Sequence, residues 1–175
     1  MQPGVLLLRT SNLKTEPSDS RIREAIPEDI HELHSLVCEL ADYENLGHTV
    51  ISTPTDLQEA LFSETPRAEA LVAETPGATG AESPFRLSGM AIFHPSFSTF
   101  TGRPGLWLED VYVRPECRDA GIGKAFLERF LTIARERGCA RAEWSVLDWN
   151  TPAIKFYERL GATIMPDWRI ARMDL

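Results

Sequence analysis

No disulfide framework can be read from this chain. Its 3 cysteines, Cys38, Cys117 and Cys139, are odd in number, widely spaced and free of any C-x-x-C pattern, so they read as reduced thiols of a cytoplasmic protein. Basic charge is also scarce. Lys and Arg number 18 against 26 Asp and Glu, and the resulting net charge of -8 argues against nucleic acid or an anionic membrane as a partner and favours cations. Long apolar runs are missing too. The stretch VLLLR at Val5 to Arg9 has no basic region before it, and it is too short for a secretion signal or a membrane span. The zinc-protease helix is absent as well, because HELH sets His31 and His34 three residues apart where H-E-x-x-H needs four. No metal is expected. His48 and His94 stand alone and read as surface or loop residues, and Trp107 and Trp144 as strand packing.

What the chain does contain is a glycine turn between a strand-like run and an amphipathic helix, in VRPECRDAGIGKAFLERFL from Val113 to Leu131. The apolar residues Phe126, Leu127, Phe130, Leu131 and Ala134 follow Gly121 and Gly123 at helical spacing, so a helix starts at the glycines with its first amides unpaired. Those amides and the helix dipole favour an anion by roughly 0.3 to 1 kcal/mol, and missing side chains let a phosphate approach. The spacing alone leaves both a phosphate site and an ordinary helix start open. Two nucleotide motifs do not fit: RDAGIG lacks the first glycine of G-x-G-x-x-G, and GIGK lacks the P-loop spacing, with Ala125 in place of a hydroxyl.

With 175 residues the chain suits one domain with a real core. Residues 1–20 are polar and turn-rich after VLLLR and are expected to form a flexible leader, with a single domain over 21–175. From there strands and helices alternate. RIREA reads as a strand, and Pro27 opens a helix burying Ile30, Leu33, Val37, Leu40 and Ala41. Thr53 and Pro54 start a second helix. Strands are expected over Glu69–Glu74, Arg86–His94, Leu106–Arg114 and Arg141–Leu147, and helices over Gly121 to about Arg137 and Thr151–Leu160. TIM and RIARMDL end the chain. The pattern is a mixed α/β sheet with helices on both faces.

Three residues stand out chemically. Glu109 and Asp110 lie on the apolar strand LWLEDVYV, an expensive place for carboxylates without partners. Simple alternation sends them to opposite faces, and a bulge would bring both to one cleft; a structural ion pair plus a solvated carboxylate is the alternative. Tyr157 shares a helical face with Ala153, Ile154 and Gly161, as either a core tyrosine or a proton donor. Asn150 and Thr151 suit a helix cap.

RDAGIG, from Arg118, matches R/Q-x-x-G-x-G, and Asn150, Ala153, Tyr157 and Gly161 match N-x-x-A-x-x-x-Y-x-x-x-G. Together with ELADYENL, GRPGLWLEDVYVRPECR and LDWNTPAIKFYERLGA, these blocks resemble the GNAT superfamily of acetyl-CoA-dependent N-acetyltransferases, in particular its diamine and polyamine branch (spermidine/spermine and thialysine acetyltransferases). The resemblance runs from about Arg21 to the C-terminus. It implies a mostly antiparallel central sheet in which the Leu106 and Arg141 strands splay apart to admit the cofactor arm. Amides of Asp119, Ala120, Gly121, Ile122, Gly123 and Lys124, with Arg118, then hold the pyrophosphate. Val111, Tyr112 and Val113 pair with the acetyl and pantetheine amides, and Asn150 contacts the arm. By the same resemblance Glu109 is the base, acting through water, and Tyr157 is the acid for the departing thiolate. Asp110, Tyr43, Glu44 and Trp168 serve the cationic substrate, and the enzyme is a homodimer. Three positions depart from the branch: Asp119 replaces a usual glycine and is expected to turn to solvent, Phe100 stands where a Trp is usual, and the loop from Gly161 to Trp168 is shorter. They leave other acceptors open (an amino acid, an aminoglycoside or a protein N-terminus). A non-catalytic acyl-CoA sensor is the reading from another class, and Glu109 with Tyr157 argues against it.

Overall fold

The computed structural model describes residues 20–76 and 85–173, so most of the Gly/Pro connection after Thr75 lies outside the described residues, as does the leader expected over residues 1–20 except for Ser20. Five strands form one sheet in chain order: β1 (Arg21–Glu24), β2 (Glu69–Pro76), β3 (Phe85–Ser98), β4 (Arg103–Val113) and β5 (Ala142–Trp144). The first three pairings are antiparallel and only β4 with β5 is parallel, which is the mostly antiparallel mixed sheet that the sequence implies.

Helices cover both faces. On one face α1 (Ile30–Tyr43) and α2 (Pro54–Phe62) bury Ile30, Leu33, Leu36 and Leu61 against Val72, Met90, Ile92 and Tyr112. On the other, α3 (Ile122–Glu136) buries Phe126, Leu127 and Phe130 against Leu71, Phe93, Leu106 and Leu108, with Tyr157 of α4 (Thr151–Arg159) beside them. Pro27 opens a short 3-10 turn before α1, and Asp29 there is tied twice to Arg23 and to the Ile26 amide. Helix α2 starts as its residues require, on a Thr53/Asp56 capping box with Pro54 in the first turn.

One irregularity in β4 decides which residues face the cleft. Opposite β3, Ile92 pairs with Asp110 but Phe93 pairs with Leu108, so Glu109 is an extra residue in the ladder. Strand alternation reverses across such a bulge. Leu106 and Leu108 before it and Val111 and Val113 after it pack on the α3 side, while Tyr112 joins the α1 side. The bulge that would bring both carboxylates to one cleft is therefore present, centred on Glu109.

Two regions are less regular than expected. Strand β5 is only three residues long, against the seven of Arg141–Leu147, because its chain diverges from β4 after Trp144. Beyond α4 the described residues form no helix or strand, and Trp168 is 72% exposed.

Candidate active site

The parting of β4 and β5 after Leu108 and Trp144 opens a cleft of about 550 Å³ at the sheet edge. Its walls are the end of α1, the second half of β4, the end of β5 with residues 145–147 after it, the start of α3 and the inner face of α4. Val111, Tyr112 and Val113 line it and have no fifth-strand partner there, so backbone polar groups on that edge remain for an amide-bearing ligand.

At one end lies the start of α3. Gly121 is its N-cap, with φ of 82° and no side-chain cap, and the first backbone bond into the turn is Ala125 N–H to Gly121 O at 3.0 Å. The amides of Ile122, Gly123 and Lys124 thus precede any helical acceptor. A Cβ on Gly121 would meet no atom within 4 Å, so glycine is favoured there by its left-handed backbone and by the space it leaves open. Asp119 is likewise left-handed, with φ of 62°. That explains why glycine is usual at this position and why Asp, one of the residues that tolerate this region, can replace it. Its side chain is exposed, as expected. Arg118 is fixed by Nε–H to Val113 O at 3.0 Å and lies 4.9 Å from the Tyr43 ring centroid. These features fit an elongated ligand with an anionic end and an amide-bearing arm.

The other end is acidic. Glu44, at the C-cap of α1, and Glu109 and Asp110 on β4 line the same cleft. Asp110 is pushed up to about 6 by burial first, then by the charges of Glu109 and Glu44, and burial also raises Glu44. Glu109 lines the cleft with a side-chain exposure of 57%. It accepts the Trp107 indole N–H at 2.9 Å and lies 3.6 Å from His94 Nε2. Asp110 is the more buried and the more strained of the two.

Between the two ends stands Tyr157, 7% exposed, packed on Trp144 at 5.2 Å and Phe156 at 5.5 Å. Its hydroxyl has no hydrogen-bond partner among the described residues, and burial, then the Glu44 charge, pushes it up to about 12. Asn150 caps α4, its Oδ1 accepting the Ala153 N–H at 3.3 Å. The cap occupies the oxygen and leaves the amide NH₂ at the cleft it lines.

The cleft therefore brings together Tyr43, Glu44, Glu109, Asp110, Val111, Tyr112, Val113, Arg118, Asp119, Gly121, Ile122, Gly123, Lys124, Asn150 and Tyr157. Ala120 and Trp168 are not among its lining residues. Several residues in and around the cleft were not anticipated. His94 and Trp107 read as an isolated surface residue and strand packing, yet both contact Glu109. Trp149 lies 6.2 Å from Tyr43, and Arg159 lines the cleft. Alternation was the available signal for Trp107, which lies two residues from Glu109 on the same strand, whereas the His94 contact follows from strand register.

Residues 27–162 match the model of the Acetyltransferase (GNAT) family. The thialysine N-epsilon-acetyltransferase of Bos taurus is 38% identical, over 87% of this chain and 91% of that protein. An L-ornithine N5-acetyltransferase of Arabidopsis thaliana is 30% identical, over 88% of this chain and 84% of its own. Among solved structures, a ribosomal-protein-alanine N-acetyltransferase from Brucella melitensis biovar Abortus 2308 superposes with a TM-score of 0.66 at 22% identity, over 89% of this chain and 99% of the other; that likeness concerns the fold.

Proposed function

Because the chain belongs to the GNAT acetyltransferase family and is an N-acetyltransferase, we propose that its acceptor is the primary amine of a small substrate carrying a second ammonium, a diamine or a diamine-like amino acid. The observation that carries this reading is the convergence of Glu44, Glu109 and Asp110 on the end of the cleft next to Tyr157. Three carboxylates crowded there repel one another, and a bound ammonium relieves them. The thialysine and ornithine relatives act on amines of this kind by name.

Acetyl-CoA, when bound, supplies the thioester that the amine attacks. In this reading the amides from Asp119 to Lys124, with Arg118, hold its pyrophosphate, and Val111 to Val113 and the Asn150 amide orient its arm. An amine of pKa near 10.4 holds its proton at pH 7, and removing that proton costs roughly 4.6 kcal/mol. Glu109 takes it, directly or through water. Tyr157 stays protonated throughout the neutral range and donates its O–H toward the leaving sulfur. Because the Glu44 charge helps hold that hydroxyl up, an ammonium beside Glu44 makes Tyr157 a better donor.

Two experiments test this directly. Gly121→Val should weaken acetyl-CoA binding at least about tenfold, roughly 1.4 kcal/mol, because a β-branched residue strains the left-handed backbone and intrudes where phosphate meets amides. Unchanged affinity in isothermal titration of a folded variant would remove the pyrophosphate assignment. The second concerns Asp110. Folding raises its pKa to about 6, so its neutral form becomes the major one as pH falls through that value and its anion as pH rises through it. A bis-quaternary diamine, whose own charge is pH-independent, should therefore bind more weakly as pH drops from 7.5 through 6, and added salt should weaken it further. Binding that is flat in both pH and salt would rule out the acidic subsite.

A second reading has its own observation. Arg159 lines the cleft without an ion pair among the described residues, and a cation there suits a carboxylate. An amino acid with a terminal amine would then be acetylated faster than its decarboxylated diamine, and Arg159→Gln would abolish the difference.

A further inference from the structure

We propose that His94 carries the proton away from Glu109, so that the strand pair β3–β4 contains a proton exit built from His94, Glu109 and Trp107. This inference rests on the reading of Glu109 as the base. The hydrogen bonding around His94 makes the case. Its Nδ1 lies 3.1 Å from the carbonyl oxygen of Pro95, and a carbonyl can only accept, so Nδ1 bears the hydrogen and a neutral ring keeps its lone pair on Nε2. That Nε2 faces Glu109 Oε2 at 3.6 Å. The same oxygen already receives the Trp107 indole N–H at 2.9 Å. A bare nitrogen and a carboxylate oxygen turned toward each other repel; a proton between them makes the contact attractive.

Catalysis delivers such a proton once per turnover. The N–H bond of the substrate ammonium breaks, its electron pair stays on nitrogen for the attack, and the proton passes to the Glu109 carboxylate. From the carboxylate the proton passes to Nε2, whose lone pair faces it. The resulting imidazolium releases it to water or a buffer base, and the neutral ring returns. The second proton of the attacking nitrogen is lost as the amide forms and ends on the departing sulfur, with Tyr157 between them, so one proton leaves per turnover and nothing is oxidised. His94 is suited to this step by its position: its side chain is 39% exposed, reaching solvent from one side and Glu109 from the other. The row His94, Trp107 and Glu143 runs in register across β3, β4 and β5, and Glu143 is neutralised by Arg141 at 2.7 Å, which leaves Glu109 as the anion facing the ring.

The test measures turnover of His94→Gln, His94→Ala and Glu109→Gln near neutral pH while imidazole concentration is varied at constant ionic strength. In dilute buffer both His94 variants should lose about tenfold in kcat, less than the 10² to 10⁴ typical of losing the base itself, with acetyl-CoA affinity and Tm unchanged. Added imidazole should restore them toward the parental rate, His94→Ala more fully because it leaves room for the ring, whereas the parent should be insensitive. Parental turnover of the His94 variants in dilute buffer, or a loss that imidazole does not repair, overturns the relay. Near-normal neutral activity of Glu109→Gln overturns the base assignment instead, and the two failures are distinguishable because each appears in its own variant.

Discussion

Replacing Glu109 by Gln is expected to lower kcat/KM at neutral pH by about 10² to 10⁴, the range for loss of a general base, and to let it recover as pH approaches the pKa of the acceptor amine. The substitution keeps the side chain's size and its capacity to accept the Trp107 N–H, so the bulge and the cleft should persist. What it removes is the ability to hold a proton. Above the amine's pKa solvent does that work, and the parent and the variant converge. A purely structural role predicts something else: a lowered Tm with a pH-independent deficit. At a side-chain exposure of 57%, Glu109 is a poor candidate for a structural ion pair, since exposed pairs contribute only about 0.2 to 1 kcal/mol. A pH–rate profile of both proteins with one diamine settles the matter, and parallel profiles separated by a constant factor would exclude Glu109 as the base.

The parts of this site that were legible in the sequence are those written in local pattern. The start of α3 announces itself because Gly121, Gly123 and the apolar spacing that follows occupy consecutive positions. Thr53, Pro54 and Asp56 specify a helix start for the same reason. Tyr157 could be placed on the inward face of α4 from spacing, although its contact with Trp144 depends on β5 ending early. What could not be read locally is anything set by strand register. Whether Glu109 and Asp110 share a cleft depends on one extra residue opposite Ile92 and Phe93, and no alternation rule reveals it. His94 became a neighbour of Glu109 through that register, and Arg114, which binds Glu39 and Glu32 of α1, ties the end of β4 to a helix more than seventy residues away. The C-terminal stretch shows the converse. Apolar residues such as Ile164 and Ile170 suggest packing by composition, yet they are 38% and 73% exposed in this chain, because period and composition cannot specify a partner that the fold does not provide.

Tyr157→Phe should separate chemistry from packing at the other side of the reaction. Deleting one hydroxyl while keeping the ring preserves its contacts with Trp144 and Phe156, and that hydroxyl has no hydrogen-bond partner among the described residues to lose. Tm and acetyl-CoA affinity should therefore stay near parental values. Turnover should fall by about 10² or more, the scale of acid catalysis, and equally in kcat and kcat/KM because the hydroxyl acts only as the sulfur leaves. Its pKa sharpens the expectation. At about 12 it is a weaker acid than a thiol, whose pKa is ordinarily near 8.5, so its main service is a hydrogen bond to negative charge growing on sulfur in a site where burial makes such a bond strong. The raised pKa also keeps it protonated over the whole neutral range, so the parent should show no loss of rate attributable to Tyr157 below about pH 10. Glu44 supplies the coupling: neutralising it, by Glu44→Gln or by the substrate's second ammonium, lowers the hydroxyl's pKa and strengthens the bond. The defect of Tyr157→Phe should accordingly be larger with a diamine than with a neutral-tailed monoamine. A defect of equal size for both acceptors would uncouple Tyr157 from Glu44, and undiminished kcat with lowered Tm would return it to the core.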